Sequence, residues 1–411
     1  MKNAAPDHRH AWRIVLAGMV SLAAAMGIGR FAFTPLLPMM LADGAVDLAT
    51  ASWLASANYL GYLVGALLCT FQPWLWRKLG IGTPVNSPGL VLGGLVATAL
   101  VTLGMALDWP GAWPALRFAA GVASAFVFIH TSSWCLTRLS RLGLPAIGAL
   151  VYAGPGGGIV LTGLAATVMV AWRGSATLGW LIFGLLAALL TVAVWPAFGM
   201  RDDSAATPPQ SAAAAVSEGP SPRGAEVAML AMAYGMAGFG YIITATFLPV
   251  IARQSLSDSA WLDMFWPILG AGVVVGVLIA SRLRGQGDQR LRLAACYLTQ
   301  ALGIAVGLWR PTLAGFAIGS LLLGLPFTAI TFFALQEVRR MRPAAPSGLM
   351  GLITAMYGLG QIVGPPLAAA LVARSRSPAE GFALSLEIAA GALVLGALIY
   401  LAMVRLYPQR G

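Results

Sequence analysis

Twelve apolar runs, each bracketed by charges or turn residues, decide what this chain can fold into. They cover residues 14–41, 50–71, 88–107, 113–137, 144–171 and 176–196, then 225–252, 260–281, 291–309, 313–338, 348–372 and 380–404. A helix that crosses a bilayer needs roughly 20 apolar residues, and every run is close to that length or beyond it. Composition agrees: 59% of the 411 residues are hydrophobic and 9% are charged, against about 25% charged in an ordinary soluble chain. There is too little polar surface to face water. The 49 Gly and 25 Pro follow no three-residue period, which excludes a collagen-like fibre. Lys2, Arg9 and Arg13 before the first run imitate a signal peptide, but apolar character continues to Leu41, too far for a signal core. The expected fold is an all-α polytopic membrane protein with twelve transmembrane helices.

The net charge of +11 raises the question of nucleic acid. Distribution answers it: the basic residues stand singly or in short groups between apolar runs, a pattern suited to anionic lipid rather than to a phosphate groove. With both termini on one side of the membrane, 18 of the 25 basic residues fall on that side and five on the other, while Arg30 and Arg117 lie within runs. The positive-inside rule then places both termini of a multi-pass membrane protein in the cytoplasm. The polar stretch 201–224, rich in Pro, Ser and Ala, reads as a flexible cytoplasmic linker. It would separate an N-terminal six-helix bundle, residues 1–200, from a C-terminal one, residues 225–411.

Shifting the sequence by 211 residues brings Gly27 onto Gly238, Gly29 onto Gly240, Pro38 onto Pro249, Asp47 onto Asp258, Gly61 onto Gly272 and Gly65 onto Gly276, without a gap. The matches are mostly residues that shape backbone. The offset spans six helices, an even number, so the copies run in the same direction: a parallel repeat about an axis along the membrane normal.

Here the chain resembles the major facilitator superfamily. Leu116-Arg117-Phe118-Ala119-Ala120-Gly121 is similar to the family's fourth-helix R-x-x-x-G motif, and Gly154-Pro155-Gly156-Gly157-Gly158 to its fifth-helix G-P-x-x-G motif. The segment from Gly27 through Arg30, Pro35 and Pro38, together with Gly360-Gln361-Ile362-Val363-Gly364-Pro365, resembles the YbfB/YjiJ-type bacterial branch. The resemblance implies secondary transport by two rocking bundles in the bacterial inner membrane, and a coupling role for Arg117. One feature departs from the pattern. The family's loop between helices two and three carries an acid in Gly-x-x-x-Asp-Arg, whereas this chain reads Trp74-Leu75-Trp76-Arg77-Lys78-Leu79-Gly80; the related loop between helices eight and nine keeps Asp288. That puts the usual charge-relay gate in doubt.

In parallel-repeat transporters the substrate sits near the midplane, where Gly- and Pro-interrupted helices meet. Gly27, Gly29, Pro35 and Pro38 in the first run match Gly238, Gly240 and Pro249 in the seventh, with Gly154, Pro155, Gly158, Gly364 and Pro365 shaping two others. These residues pack and kink helices, and proline also frees carbonyls that can ligate. Arg30 lies only about 4 Å beyond the centre of its run at 1.5 Å per residue, too deep to reach the interface, so it needs a wet cavity or an anionic partner. No carboxylate is central in the sequence, which favours a small organic anion gripped by the guanidinium. Arg117 lies about 12 Å from its own centre and reads equally as a coupling residue or as one that snorkels or pairs helices. Asn58, Tyr152, Tyr241, Tyr357 and Gln361 are candidate cavity-lining residues or interhelical hydrogen-bond partners. Tyr241 is the repeat counterpart of Arg30.

Candidates for coupling or gating are His130, Asp263, Glu337 and Asp288, with Glu387 a further intramembrane acid. No nucleotide-binding motif occurs, and neither the three His nor the three Cys have metal-ligand spacing. No cofactor, metal or catalytic residue is therefore expected. The expectation is a non-enzymatic secondary transporter, working as a monomer among membrane lipids, with proton coupling open. Export of amphipathic drugs is an alternative within that class, and a non-transporting membrane sensor is one outside it.

Overall fold

The computed structural model describes residues 8–78, 80, 86–199, 224–256, 259, 261–282, 287–342 and 346–409. Apart from Gly224, the expected linker lies outside the described residues, as do Lys2, Leu79, Arg284 and Asp258. Among the described residues there is no strand, and twelve helical stretches are long and apolar enough to cross a membrane. They are His8–Ala42, Leu48–Gln72, Ser87–Gly104, Pro110–Arg141, Ala146–Ala171, Ala176–Gly199, Gly224–Ser255, Leu262–Arg282, Gln289–Trp309, Leu313–Met341, Gly348–Arg374 and Pro378–Leu406, here spans 1 to 12. Exposed Leu185, Leu189 and Val192 on span 6 suit a lipid-facing surface. Trp109, Trp172, Trp261 and Trp309, each more than half exposed, cluster at the end of the bundle away from the termini, where amphipathic rings favour the headgroup level.

The repeat has a packing consequence. A side-chain carbon on Gly61 or Gly65 of span 2 would collide with backbone at Phe118 or Val122 of span 4. On Gly272 or Gly276 of span 8 it would collide with Leu321 or Leu325 of span 10. Equivalent glycines thus let equivalent helix pairs touch backbone to backbone, the close approach that drives association where lipid is as apolar as the helices. Asp47 has a local role: its carboxylate accepts from Thr50 N at 2.7 Å and caps span 2. The side-chain and backbone hydrogen bonds from Thr50 hold it below the usual carboxylate range.

Spans 1 and 7 part company despite the repeat. Span 7 is helical from Gly224 to Ser255 without a break. Span 1 is α-helical over His8–Leu22, widens into a π-helix over Ala23–Arg30, turns at residues 31 and 32, and resumes over Phe33–Ala42. The cause is compositional: Gly27 and Gly29 weaken the helix, and Pro35 and Pro38 supply no N–H to the preceding turn.

Candidate substrate site

The widened segment leaves carbonyls that hydrocarbon cannot satisfy, and neighbouring spans supply the donors. Ser124 Oγ of span 4 donates to Ala25 O at 2.8 Å. Asn58 Nδ2 of span 2 donates to Gly29 O at 3.3 Å and to Arg117 O at 2.9 Å. The Arg117 guanidinium donates to Gly29 O at 3.4 Å and Arg30 O at 3.1 Å, and lies 5.1 Å from the Phe33 ring centroid. Arg117 is 2% exposed. It does not snorkel: it turns inward and holds the broken backbone of span 1.

That brace fixes the direction of Arg30. Its Nη2 donates to Gln361 Oε1 of span 11 at 2.7 Å, and its Cζ sits 4.0 Å from the Tyr62 centroid, with Tyr59 at 5.4 Å and Phe31 at 5.5 Å. Gln361 Nε2 in turn donates to Tyr241 Oη of span 7. The Tyr241 ring stacks on Tyr357 with centroids 5.9 Å apart and meets Phe327 of span 10 edge-on at 5.1 Å. Phe31 packs against both Phe327 and Trp266 of span 8 at 6.1 Å. One cation and one amide are therefore held within a shell of aromatic rings from both halves of the repeat. Among the described residues no carboxylate pairs with Arg30, and its Nε is buried without a hydrogen-bond partner. A buried guanidinium resting on an amide and ring faces is held less strongly than one facing a carboxylate.

Arg30, Tyr241, Tyr357 and Gln361 thus come together. Asn58, fully buried, lies in the junction of spans 1, 2 and 4 rather than among the rings. Tyr152 lies elsewhere: the turn that opens span 5 sets its ring 5.9 Å from Phe128 of span 4. Tyr59, Tyr62, Phe31, Trp266 and Phe327 complete the shell and were not singled out from sequence. Tyr59 and Tyr62, three residues apart on one face of span 2, were the available signal.

Apart from Arg117, none of the coupling candidates reaches Arg30. His130 Nε2 is 3.8 Å from Cys69 Sγ. Asp263 forms a 2.5 Å ion pair with Arg253, and Glu387 is exposed on span 12. Glu337, fully buried, pairs with Arg340 at 2.6 Å and lies 3.8 Å from Arg290. Asp288 pairs with Arg290 at 2.6 Å. Burial pushes the Asp288 carboxyl up, but the Arg290 hydrogen bonds and charge outweigh it and hold it below the usual range. Arg290 also donates to Met403 O and Tyr407 O, and Arg340 reaches Glu226 at 3.0 Å, so these charges tie spans 7, 9, 10 and 12 together. Among the described residues no group of three or more His, Cys, Asp or Glu side chains is placed to hold a metal.

The halves close on the side of the site away from the termini. Residues 31–40 and 241–252 are all buried, whereas Arg9, Trp12, Arg13 and Leu16 are exposed. Thr34 Oγ1 donates to Ala245 O at 2.7 Å, joining two residues separated by the repeat offset itself. Pro249 explains the acceptor: lacking an N–H, it leaves the Ala245 carbonyl four residues earlier unpaired. Tyr59 Oη meets Thr246 Oγ1 at 2.9 Å, and Ser56 Oγ donates to Ile362 O at 2.8 Å. Tyr62, Tyr357 and Phe327 are the partly exposed rings of the shell, and the first two lie on the side of Arg30 toward the termini.

A family model described as the uncharacterised MFS-type transporter YbfB matches residues 22–401. No curated protein matches the chain. Among solved structures, a point mutant of the nucleoside transporter NupG aligns with a TM-score of 0.71 at 15% identity, covering 95% of this chain and 99% of that one. The unmutated NupG gives 0.68 at 14% identity, covering 96% and 99%. At such identities the likeness is one of fold.

Proposed function

The chain belongs to the family of the uncharacterised MFS-type transporter YbfB, and from that premise we propose that it moves a small organic anion across the inner membrane by alternating access. The observation that carries this reading is the Arg30 guanidinium, 3% exposed, whose hydrogen-bond partner is a neutral amide from the other half of the repeat. A carboxylate entering from the side of Tyr62 and Tyr357 would replace Gln361 as the acceptor. It would exchange an ion–dipole contact for an ion pair, and in doing so release span 1 from span 11. The surrounding rings favour a flat or apolar body behind the charge. The excess of basic residues beside the termini supports a cytoplasmic placement for both ends. The chain then divides into bundles of residues 1–200 and 225–411. Proton coupling would fall to His130 or to the charge cluster around Glu337, neither of which touches the site.

A second reading follows from the Tyr241–Tyr357 stack beside the Gln361 amide, which offers a flat neutral ligand a ring face and hydrogen bonds. The solved neighbours are described as nucleoside transporters, so a nucleoside is the neutral ligand to test. Binding of aromatic and aliphatic carboxylates and of nucleosides to purified protein, with Arg30→Ala in parallel, separates the two. Charge-assisted hydrogen bonds contribute about 1.5–3 kcal/mol, so the variant should lose roughly 10- to 150-fold in anion affinity and leave nucleoside binding within a few-fold. A bound anion indifferent to Arg30→Ala would sink the first reading. Uptake or release by proteoliposomes distinguishes a transporter from a sensor that binds without moving its ligand.

A further inference from the structure

A groove of about 340 Å³ lies between spans 1, 4 and 6, far from the aromatic shell. Its rim is formed by His10 and Arg13, in the opening turns of span 1, and by Arg138, in the last turn of span 4. Its floor is built from Ala17, Val20 and Ala193, among other apolar side chains, and no acid lines it among the described residues. Arg138 lies 4.5 Å from the Trp134 ring, which sets its guanidinium on the groove wall. From His10 to Val20 the floor runs about 15 Å along the helix axis at 1.5 Å per residue, leading from the bundle end toward the bilayer centre. Half-exposed Trp12 and Trp195 mark the headgroup level at the same end.

We propose that this groove is a binding site for one anionic phospholipid, its phosphate at the Arg13–Arg138 rim and one acyl chain along the alanine floor. Charge complementarity selects the occupant: basic pockets between membrane helices suit anionic headgroups, while a floor this apolar has no use for a soluble anion. At the offset of 211, Arg13 falls on Gly224, which carries no charge.

Native mass spectrometry of the full chain in neutral detergent tests this with dioleoyl phosphatidylglycerol and dioleoyl phosphatidylcholine supplied in equal amounts. One phosphatidylglycerol should be retained with at least about a fivefold preference over phosphatidylcholine. Arg13→Gln with Arg138→Gln should abolish that preference, while Arg374→Gln at the opposite end leaves it intact. Ala193→Phe keeps both charges and fills the floor, so it should lower retention by a similar factor; it carries the test if the double variant does not fold. Equal retention of the two lipids, or a preference untouched by either rim or floor variants, would overturn the proposal. So would saturable binding of inorganic phosphate alone with the same dependence on Arg13 and Arg138.

Discussion

Spans 1 and 7 hold equivalent places in the repeat and share their Gly and Pro pattern, yet one is broken and the other is not. Both contain a proline that silences an N–H, at Pro38 and at Pro249. In span 7 the cost is one orphaned carbonyl, at Ala245, which Thr34 satisfies from across the interface. In span 1 the additional Pro35 lies close behind Gly27 and Gly29. The helix there widens over a full eight residues and draws Asn58, Arg117 and Ser124 onto its carbonyls. The comparison teaches that the symmetric scaffold sets where the two helices meet, while a local concentration of helix-weakening residues decides which one carries the cation.

Four tests break or sharpen that contrast, and the one with the largest effect makes the spans chemically alike. Arg30→Tyr places span 7's residue in span 1 and should cost anion affinity about 10- to 150-fold, measured by titration calorimetry. Arg30→Lys should recover part of the loss, because charge returns without the planar fork. Next, Gln361→Glu puts a carboxylate where the amide now accepts from Arg30 at 2.7 Å. The ion pair should occupy the cation, lower anion affinity about tenfold, and raise the thermal unfolding temperature.

A smaller effect follows from restoring the missing donor in span 7. Pro249→Ala supplies an N–H that competes for Ala245 O, and Thr34→Val removes the hydroxyl from the same bond. Each should weaken closure by roughly 1 kcal/mol, and the double variant should fall short of the sum by a similar amount. A double-mutant cycle on spin-label distances across the closed end reads this out, and strict additivity would mean that the two groups do not share the carbonyl.

The smallest effect compares the two related loops, one without an acid and one with Asp288. The Asp288 carboxyl is held below its ordinary range, so its stabilising contribution is complete above pH of about 3.9 and is lost as pH falls through its lower folded value. Asp288→Asn should remove that acid-side dependence from thermal unfolding curves while leaving the neutral-pH unfolding temperature little changed, because Glu337 and the Met403 and Tyr407 carbonyls still hold Arg290.

The number of spans was legible because each is long, apolar and bounded by charge. The gathering of Arg30, Tyr241, Tyr357 and Gln361 was legible in part, because polar groups deep in apolar runs must find one another. The rotational setting of each helix was not, since lipid and protein interior are equally apolar and periodicity carries little phase information. Asn58 therefore looked like a lining residue until Gly29 claimed its amide, and Tyr152 looked central although its helix opens in a tight turn. The rings of Tyr59, Tyr62 and Phe327 were hidden for the converse reason: in a membrane helix an aromatic residue is as ordinary on the lipid face as on the inner one.

With an anion as cargo, as proposed above, the buried cations at the site also make occupancy sensitive to voltage. An empty site carries the two positive charges of Arg30 and Arg117 in the bilayer interior, and a site filled by a monovalent anion would carry one. Each elementary charge moved across 100 mV is worth about 2.3 kcal/mol. Membrane potential should therefore act more strongly on the return of the empty carrier than on the loaded crossing.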